Sequence, residues 1–175
     1  MTLARALFAS LRPRQWAKNA LLLAPLVFAH RATDAVAARR ALLAVVAFSV
    51  LASAVYLGND LADRDRDRAH PLKRERPVAA GLLPPAWAAG AALFLGAAGL
   101  ALAWGLGAGF FGWCVGYLAL QALYSGLLKQ VAVLDVFAVA AGFVLRVVAG
   151  AAVIDVPVSN WLYLCTLLLA LFLAL

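Results

Sequence analysis

Residues 41–58, ALLAVVAFSVLASAVYLG, hold no charged side chain, and at residue 59 the chain turns abruptly to Asn59-Asp60-Leu61-Ala62-Asp63-Arg64-Asp65-Arg66-Asp67-Arg68. Eighteen apolar or small residues rise about 27 Å as a helix, close to the roughly 30 Å of bilayer hydrocarbon. The run is therefore read as a membrane-crossing helix that delivers an acidic cluster to the water boundary. Working outward, five further apolar segments lie at roughly 15–30, 86–103, 106–124, 133–152 and 158–175. Of the 175 residues, 66% are hydrophobic and only 13% are charged, and the mean hydropathy is +0.95. Soluble domains carry about 25% charged residues. So short a chain could not hide that much apolar surface from water. The composition predicts an all-α integral membrane helical bundle with about six transmembrane helices, forming a single domain over residues 1–175.

Several features refine this. Pro25 predicts a kink or a short span in the first segment. Trp104-Gly105-Leu106-Gly107 reads as a tight hairpin between the third and fourth segments. The last apolar run reaches Leu175 with no polar stop, so further helices are expected beyond it. Cys114 and Cys165 both fall inside apolar runs, which argues against a disulfide framework or a thiolate metal site.

The formal net charge of +7 would suggest nucleic-acid binding in a soluble protein. Here the charges lie in short loops between apolar runs, so they are read as topology signals and anion ligands, with no nucleic-acid partner. If all six segments cross, eleven Lys and Arg fall on one side and three on the other, with Arg146 inside a segment. The positive-inside rule then places the N-terminus and the loops at 59–85 and 125–132 in the cytoplasm, with the chain integral to the plasma membrane.

On a continuing helix, Asn59, Asp60, Asp63 and Asp67 share one face through i, i+3 and i+4 spacing, and Asp65 points away. Carboxylates about 6 Å apart repel by roughly 3 kcal/mol per pair at an effective dielectric of about 20. A cation relieves this. The donors are all oxygen, which suits Mg²⁺ bridging to substrate phosphates. A solvated run of alternating charge competes with that reading. Asn59 and Asp60 weigh against it, because ionisable groups at the end of an apolar helix are expensive and usually functional. Lys73, Arg74 and Arg76 could then neutralise phosphate oxygens, or simply anchor the loop. His70 before Pro71 reads as a turn residue.

A second polar stretch, Tyr124-Ser125-Gly126-Leu127-Leu128-Lys129, leaves the fourth segment, and Asp135 opens the fifth. Gly142 and Arg146 fall within about 20° of Asp135 on a helix, and Arg146 lies about 16 Å further along the axis. An arginine at that depth requires a polar cavity or a partner. Lys18 and Asn19 enter the first segment after Arg12-Pro13-Arg14-Gln15-Trp16, with Lys18 a phosphate ligand or an anchor.

Asn59-Asp60-x-x-Asp63-x-x-x-Asp67 resembles the NDxxDxxxD motif of the UbiA prenyltransferase superfamily. The chain also reads Arg12-Pro13-x-Gln15-Trp16-x-Lys18-Asn19, His70-Pro71-x-Lys73-x-x-Arg76-Pro77, Tyr124-Ser125-x-x-Leu128-Lys129 and Gly142-Phe143-x-Leu145-Arg146. Together these resemble the decaprenyl-phosphate phosphoribosyltransferase branch. The resemblance implies a Mg²⁺-dependent enzyme that moves 5-phosphoribose from phosphoribosyl pyrophosphate to a polyprenyl phosphate, feeding cell-wall arabinan precursors. Membrane lipids would surround it, and an oligomer is allowed. It implies Asn59, Asp60, Asp63 and Asp67 as metal ligands, and Asp60, Asp63, Asp67, Asp135 and Lys129 as the catalytic set. Lys18, Asn19, Lys73, Arg76, Tyr124, Ser125 and Arg146 would bind substrate. The alternatives are prenyl transfer to an aromatic acceptor, walled by Phe110, Phe111, Trp113 and Tyr117, and a non-catalytic protein whose basic loop binds anionic lipid.

Overall fold

The structure is a computed structural model and describes residues 2–128 and 131–174. Among them only helices and connecting turns occur: α1 Leu3–Ser10, a 3-10 stretch Pro13–Leu23, α2 Ala24–Phe28, α3 Ala35–Ala62, α4 Arg64–Ala69, a 3-10 turn Lys73–Glu75, α5 Pro85–Leu106, α6 Ala108–Gly126, α7 Ala132–Val153 and α8 Asn160–Ala174. The all-α reading holds. Among the described residues, three helices are long and apolar enough to cross a bilayer, Ala35–Ala62, Pro85–Leu106 and Val133–Val153. The expected class, an all-α membrane bundle of about six helices with a short or kinked first segment, is met by these elements. The segment at 15–30 is a 3-10 run followed by a five-residue helix, because Pro13 and Pro25 cannot supply helix-interior N–H donors. The 19-residue α6 carries Tyr117, Gln121 and Tyr124, and the apolar part of the last helix, Asn160–Phe172, is short for a span.

The chain divides into two compact units, Met1–Ala17 with Ser49–Gly99, and Lys18–Phe48 with Leu100–Leu175. In the first, a core of Ala6, Leu57, Val78, Leu83 and Ala88 is sealed by Leu7, Leu61 and Leu95. Trp16 Nε1 donates to Ser53 Oγ at 3.0 Å, and that hydroxyl reaches the Leu11 carbonyl at 3.1 Å, which fixes the corner after α1 against α3. In the second, Phe48 packs on Phe110 and Tyr117 with ring centroids 5.9 and 5.1 Å apart. Leu93, Phe94, Trp104, Trp161 and Phe172 all point outward, as lipid-facing positions should.

Gly107, at φ 124°, makes the hairpin between α5 and α6 in a conformation that favours glycine. Beside it, Arg40 Nη2 donates to the Leu106 carbonyl at 2.6 Å and Nε to the Val153 carbonyl at 2.7 Å, so one guanidinium satisfies the ends of α5 and α7. Arg40→Met is expected to cost about 1.5–3 kcal/mol, since it removes charged hydrogen bonds and leaves two terminal carbonyls without a donor. The thermal midpoint in nanodiscs measures it, and an unchanged midpoint would mean water replaces the arginine.

Asp34 caps the start of α3. Its carboxylate accepts the N–H groups of Val36 and Ala37 at 3.0 and 3.1 Å and pairs with Arg31 Nη2 at 2.7 Å. The Ala37 amide, followed by Arg31, holds its carboxyl below the usual range. A depressed folded-state value means the cap stabilises above the unfolded value of about 3.9, and that this is lost as pH falls through the folded value. Asp34→Ala should remove this part of the acid sensitivity. Thermal midpoints between about pH 6 and pH 3 would then fall less steeply than in the wild type.

Candidate ionic site at the end of α3

Helix α3 ends at Ala62, and a turn at Asp63 leads directly into α4. Asp63 N–H donates to the Asn59 carbonyl at 2.9 Å and Asp67 N–H to the Asp63 carbonyl at 2.8 Å, so helical spacing runs across the break. Asp60 and Asp67, two turns apart, therefore share a face. Both are buried, at 1% and 3% exposure, where an unpaired carboxylate would be costly. Arg76 resolves this for both. Its Nη1 lies 2.7 Å from Asp67 Oδ2 and 3.3 Å from Asp60 Oδ1. Arg12 Nη2 meets the same Asp60 Oδ1 at 2.5 Å, and its guanidinium sits 5.1 Å from the centre of the Tyr56 ring.

Of the residues the sequence proposes here, Asp60, Asp67 and Arg76 are brought together. Asn59 and Asp63 sit half-buried at the helix break. Lys73 is exposed, and its backbone N–H donates to His70 Nδ1 at 3.3 Å, as does that of Leu72 at 3.2 Å, so His70 is indeed a turn residue. Sequence reasoning missed Arg12 as a partner of Asp60. Its signal was the Arg12-Pro13 pair: Pro13 opens the 3-10 stretch, and Arg12 stands in the left-handed region at φ 53°. That conformation is uncommon for a residue with a long side chain.

Among the described residues, no group of three or more His, Cys, Asp or Glu is placed to hold a metal ion. Two buried carboxylates still suit Mg²⁺, which keeps several waters and takes one or two carboxylates together with substrate phosphates.

The second unit contains the other proposed residues. Arg146 is buried in α7, donates from Nε to Asn19 Oδ1 at 2.9 Å and from Nη1 to the Gly142 carbonyl at 2.7 Å, and lies 5.1 Å from the Tyr117 ring centre. Among the described residues no carboxylate pairs with it, and its charge is met by these dipoles and by the rings of Tyr117 and Phe143, the latter 5.9 Å away. Lys18 is exposed beside Asn19. Tyr124 adjoins Asp135, whose Oδ1 is buried with no hydrogen-bond partner, and Ser125 is half-buried next to it. Lys129 lies outside the described residues.

A helical chain with long apolar helices and with buried, arginine-paired carboxylates at the end of one of them has the architecture of an integral membrane helical bundle. It belongs to the UbiA prenyltransferase family, which it matches over residues 20–175. It is 40% identical over 176 residues to the decaprenyl-phosphate phosphoribosyltransferase of Mycolicibacterium smegmatis, covering 98% of this chain and 55% of that protein. The protein of the same name from Mycobacterium tuberculosis is 40% identical over 159 residues, covering 89% and 53%. A UbiA homolog from Archaeoglobus fulgidus, solved bound to GPP and Mg²⁺, superposes with a TM-score of 0.79 at 26% identity, covering 96% of this chain and 60% of that one. The chain thus spans about half the length of the curated relatives it matches.

Proposed function

We propose that this chain serves a Mg²⁺-dependent transfer of 5-phosphoribose from phosphoribosyl pyrophosphate to a polyprenyl phosphate, with its N-terminus and the 59–85 loop on the cytoplasmic side of the plasma membrane. The observation that carries the reading is the buried Asp60–Asp67 pair, two carboxylates on one helix face with arginine guanidinium groups gathered beside them. Asp60 and Asp67, with Asn59 and Asp63 alongside, would hold the ion. When bound, Mg²⁺ supplies charge neutralisation for a pyrophosphate leaving group. Arg76 and Lys73 would steady phosphate oxygens, as would Lys129. In the other unit, Lys18, Asn19 and Arg146 offer a separate cationic and hydrogen-bonding set for a phosphate, and Asp135, with Tyr124 and Ser125, a polar group that would take an ion or a sugar hydroxyl.

In the transfer, an oxygen of the lipid phosphate forms a bond to the anomeric carbon as the bond from that carbon to pyrophosphate breaks. The electron pair leaves with the pyrophosphate. The nucleophile is already anionic, so no strong general base is required.

Prenyl transfer to an aromatic acceptor would use the same carboxylates, and a neighbour solved with GPP and Mg²⁺ favours considering it. Against it, Phe110 and Tyr117 are buried against Phe48, while Phe111 packs edge-on with Trp104 and Trp113 is 40% exposed. These four do not form one aromatic wall. The 40% identical relatives also bear the phosphoribosyltransferase name. The test supplies radiolabelled phosphoribosyl pyrophosphate with polyprenyl phosphate in one reaction and labelled prenyl diphosphate with an aromatic acid in another. Labelled lipid is expected from the first pair, and product from the second pair alone would reverse the assignment.

A further inference from the structure

One nitrogen of Arg76 bridges Asp60 and Asp67, at 3.3 and 2.7 Å, and so stands where a cation shared by those carboxylates would be drawn. Arg12 adds a second guanidinium to the same Asp60 oxygen. Two positive and two negative side chains make the cluster neutral. The carboxylates are sealed from solvent, yet the arginine side chains remain 30% and 28% exposed for Arg12 and Arg76, so each guanidinium has an outward route. Arg76 belongs to an extended residue after the 3-10 turn at Lys73–Glu75, so its side chain can swing without unwinding a helix. Val78, two residues on, is buried in the core and keeps the backbone fixed.

A divalent ion on Asp60 and Asp67 would repel both guanidinium groups. Their planar donor forks match phosphate oxygens as well as carboxylates. We propose that Arg76, aided by Arg12, is the resident counter-cation of the Asp60–Asp67 pair, and that it passes to the phosphate ligand when a divalent ion takes the carboxylates. This rests on the metal-binding reading of the two aspartates given above. Metal and phosphate then bind as a coupled pair. The ion alone must displace the arginines with nothing to receive them, whereas a pyrophosphate bound with the ion gives the displaced guanidinium groups an anion to pair with. By reciprocity, the ion strengthens phosphate binding by the same factor.

The experiment titrates Mn²⁺ against the full chain in nanodiscs of zwitterionic lipid, following free Mn²⁺ by electron paramagnetic resonance. It is run with and without inorganic pyrophosphate, and the ion's own complex with pyrophosphate is measured without protein. Wild-type protein should bind Mn²⁺ weakly alone and about 5–150-fold more tightly with pyrophosphate. Arg76→Gln should bind Mn²⁺ alone more tightly than wild type, and the pyrophosphate enhancement should shrink. Arg12→Gln should move the same way, and serves if Arg76→Gln does not fold. If neither arginine variant gains Mn²⁺ affinity while Asp60→Asn loses it, the exchange is wrong and the metal seat stands. Wild-type protein with no pyrophosphate enhancement likewise overturns the exchange. If Asp60→Asn and Asp67→Asn both bind Mn²⁺ as wild type does, the metal seat itself fails and the exchange with it.

Discussion

Asp60→Asn is expected to lower the proposed phosphoribosyl transfer by about 10²–10³-fold, the scale seen when one preorganised electrostatic contact to a transition state is removed. Asparagine keeps the volume and a carbonyl oxygen, so the pocket at the end of α3 should still close. What goes is the negative charge that meets Arg12 and Arg76 and that would hold Mg²⁺. Removing one partner of a fully buried ion pair costs about 3–5 kcal/mol. Here the stability cost should be smaller, because both arginine side chains keep 28–30% exposure and can be solvated. The variant should therefore fold, insert and fail in turnover. Asp65→Asn is the matched control. Its side chain is 91% exposed and only loosely paired with Arg68 at 3.7 Å, so turnover and stability should stay near wild type. Labelled-lipid formation across a Mg²⁺ titration reads both. Wild-type turnover in Asp60→Asn would remove the metal role.

Gly150→Ala is expected to be the most damaging single methyl in the described part of the chain. A Cβ built there meets the Leu22 carbonyl oxygen at 2.2 Å, its carbonyl carbon at 2.8 Å and its Cα at 2.9 Å. All three are backbone atoms, so no rotamer change relieves the clash, and the 3-10 stretch or α7 must move. Overpacking typically costs about 1–3 kcal/mol, and the absence of a yielding side chain puts this site at the upper end. The displacement would also spread. Asn19, three residues before Leu22, accepts from Arg146, which lies four residues before Gly150 on the same helix, so shifting Leu22 strains the contact that meets the buried guanidinium. Gly58→Ala provides the contrast. A methyl added there meets nothing within 4 Å, and alanine in a helix interior gains about 1 kcal/mol over glycine. Thermal midpoints of the two variants in nanodiscs should move in opposite directions. A Gly150→Ala midpoint equal to wild type would show that the two segments are not in backbone contact.

The pattern of residues makes part of this architecture readable and hides the rest for physical reasons. The apolar run before Asn59 announces α3, and the i, i+7 spacing of Asp60 and Asp67 places them on one face even though the helix breaks at Asp63. Trp104-Gly105-Leu106-Gly107 marks the α5–α6 turn. The first apolar segment misleads because hydropathy does not distinguish a 3-10 run from a spanning helix, and Pro25 signals a kink without giving its extent. Arg12 escapes notice because its partner lies 48 residues away, and no local period reports such a pairing. Arg40 counts in the sequence only as a topology charge, although its guanidinium closes two helices whose ends are 47 residues apart in sequence, at Leu106 and Val153. The backbone intimacy of Gly150 with Leu22 is likewise invisible in a chain rich in small residues, where a methyl added at most of the described glycines would meet nothing within 4 Å.

The left-handed backbone of Arg12 sets two selection pressures against each other at a single codon. Glycine or asparagine there would relax the chain, whereas the arginine's guanidinium reaches Asp60 and a short side chain cannot. A randomised library sorted for heat tolerance should drift away from arginine at this position, and the same library sorted for lipid product should recover it.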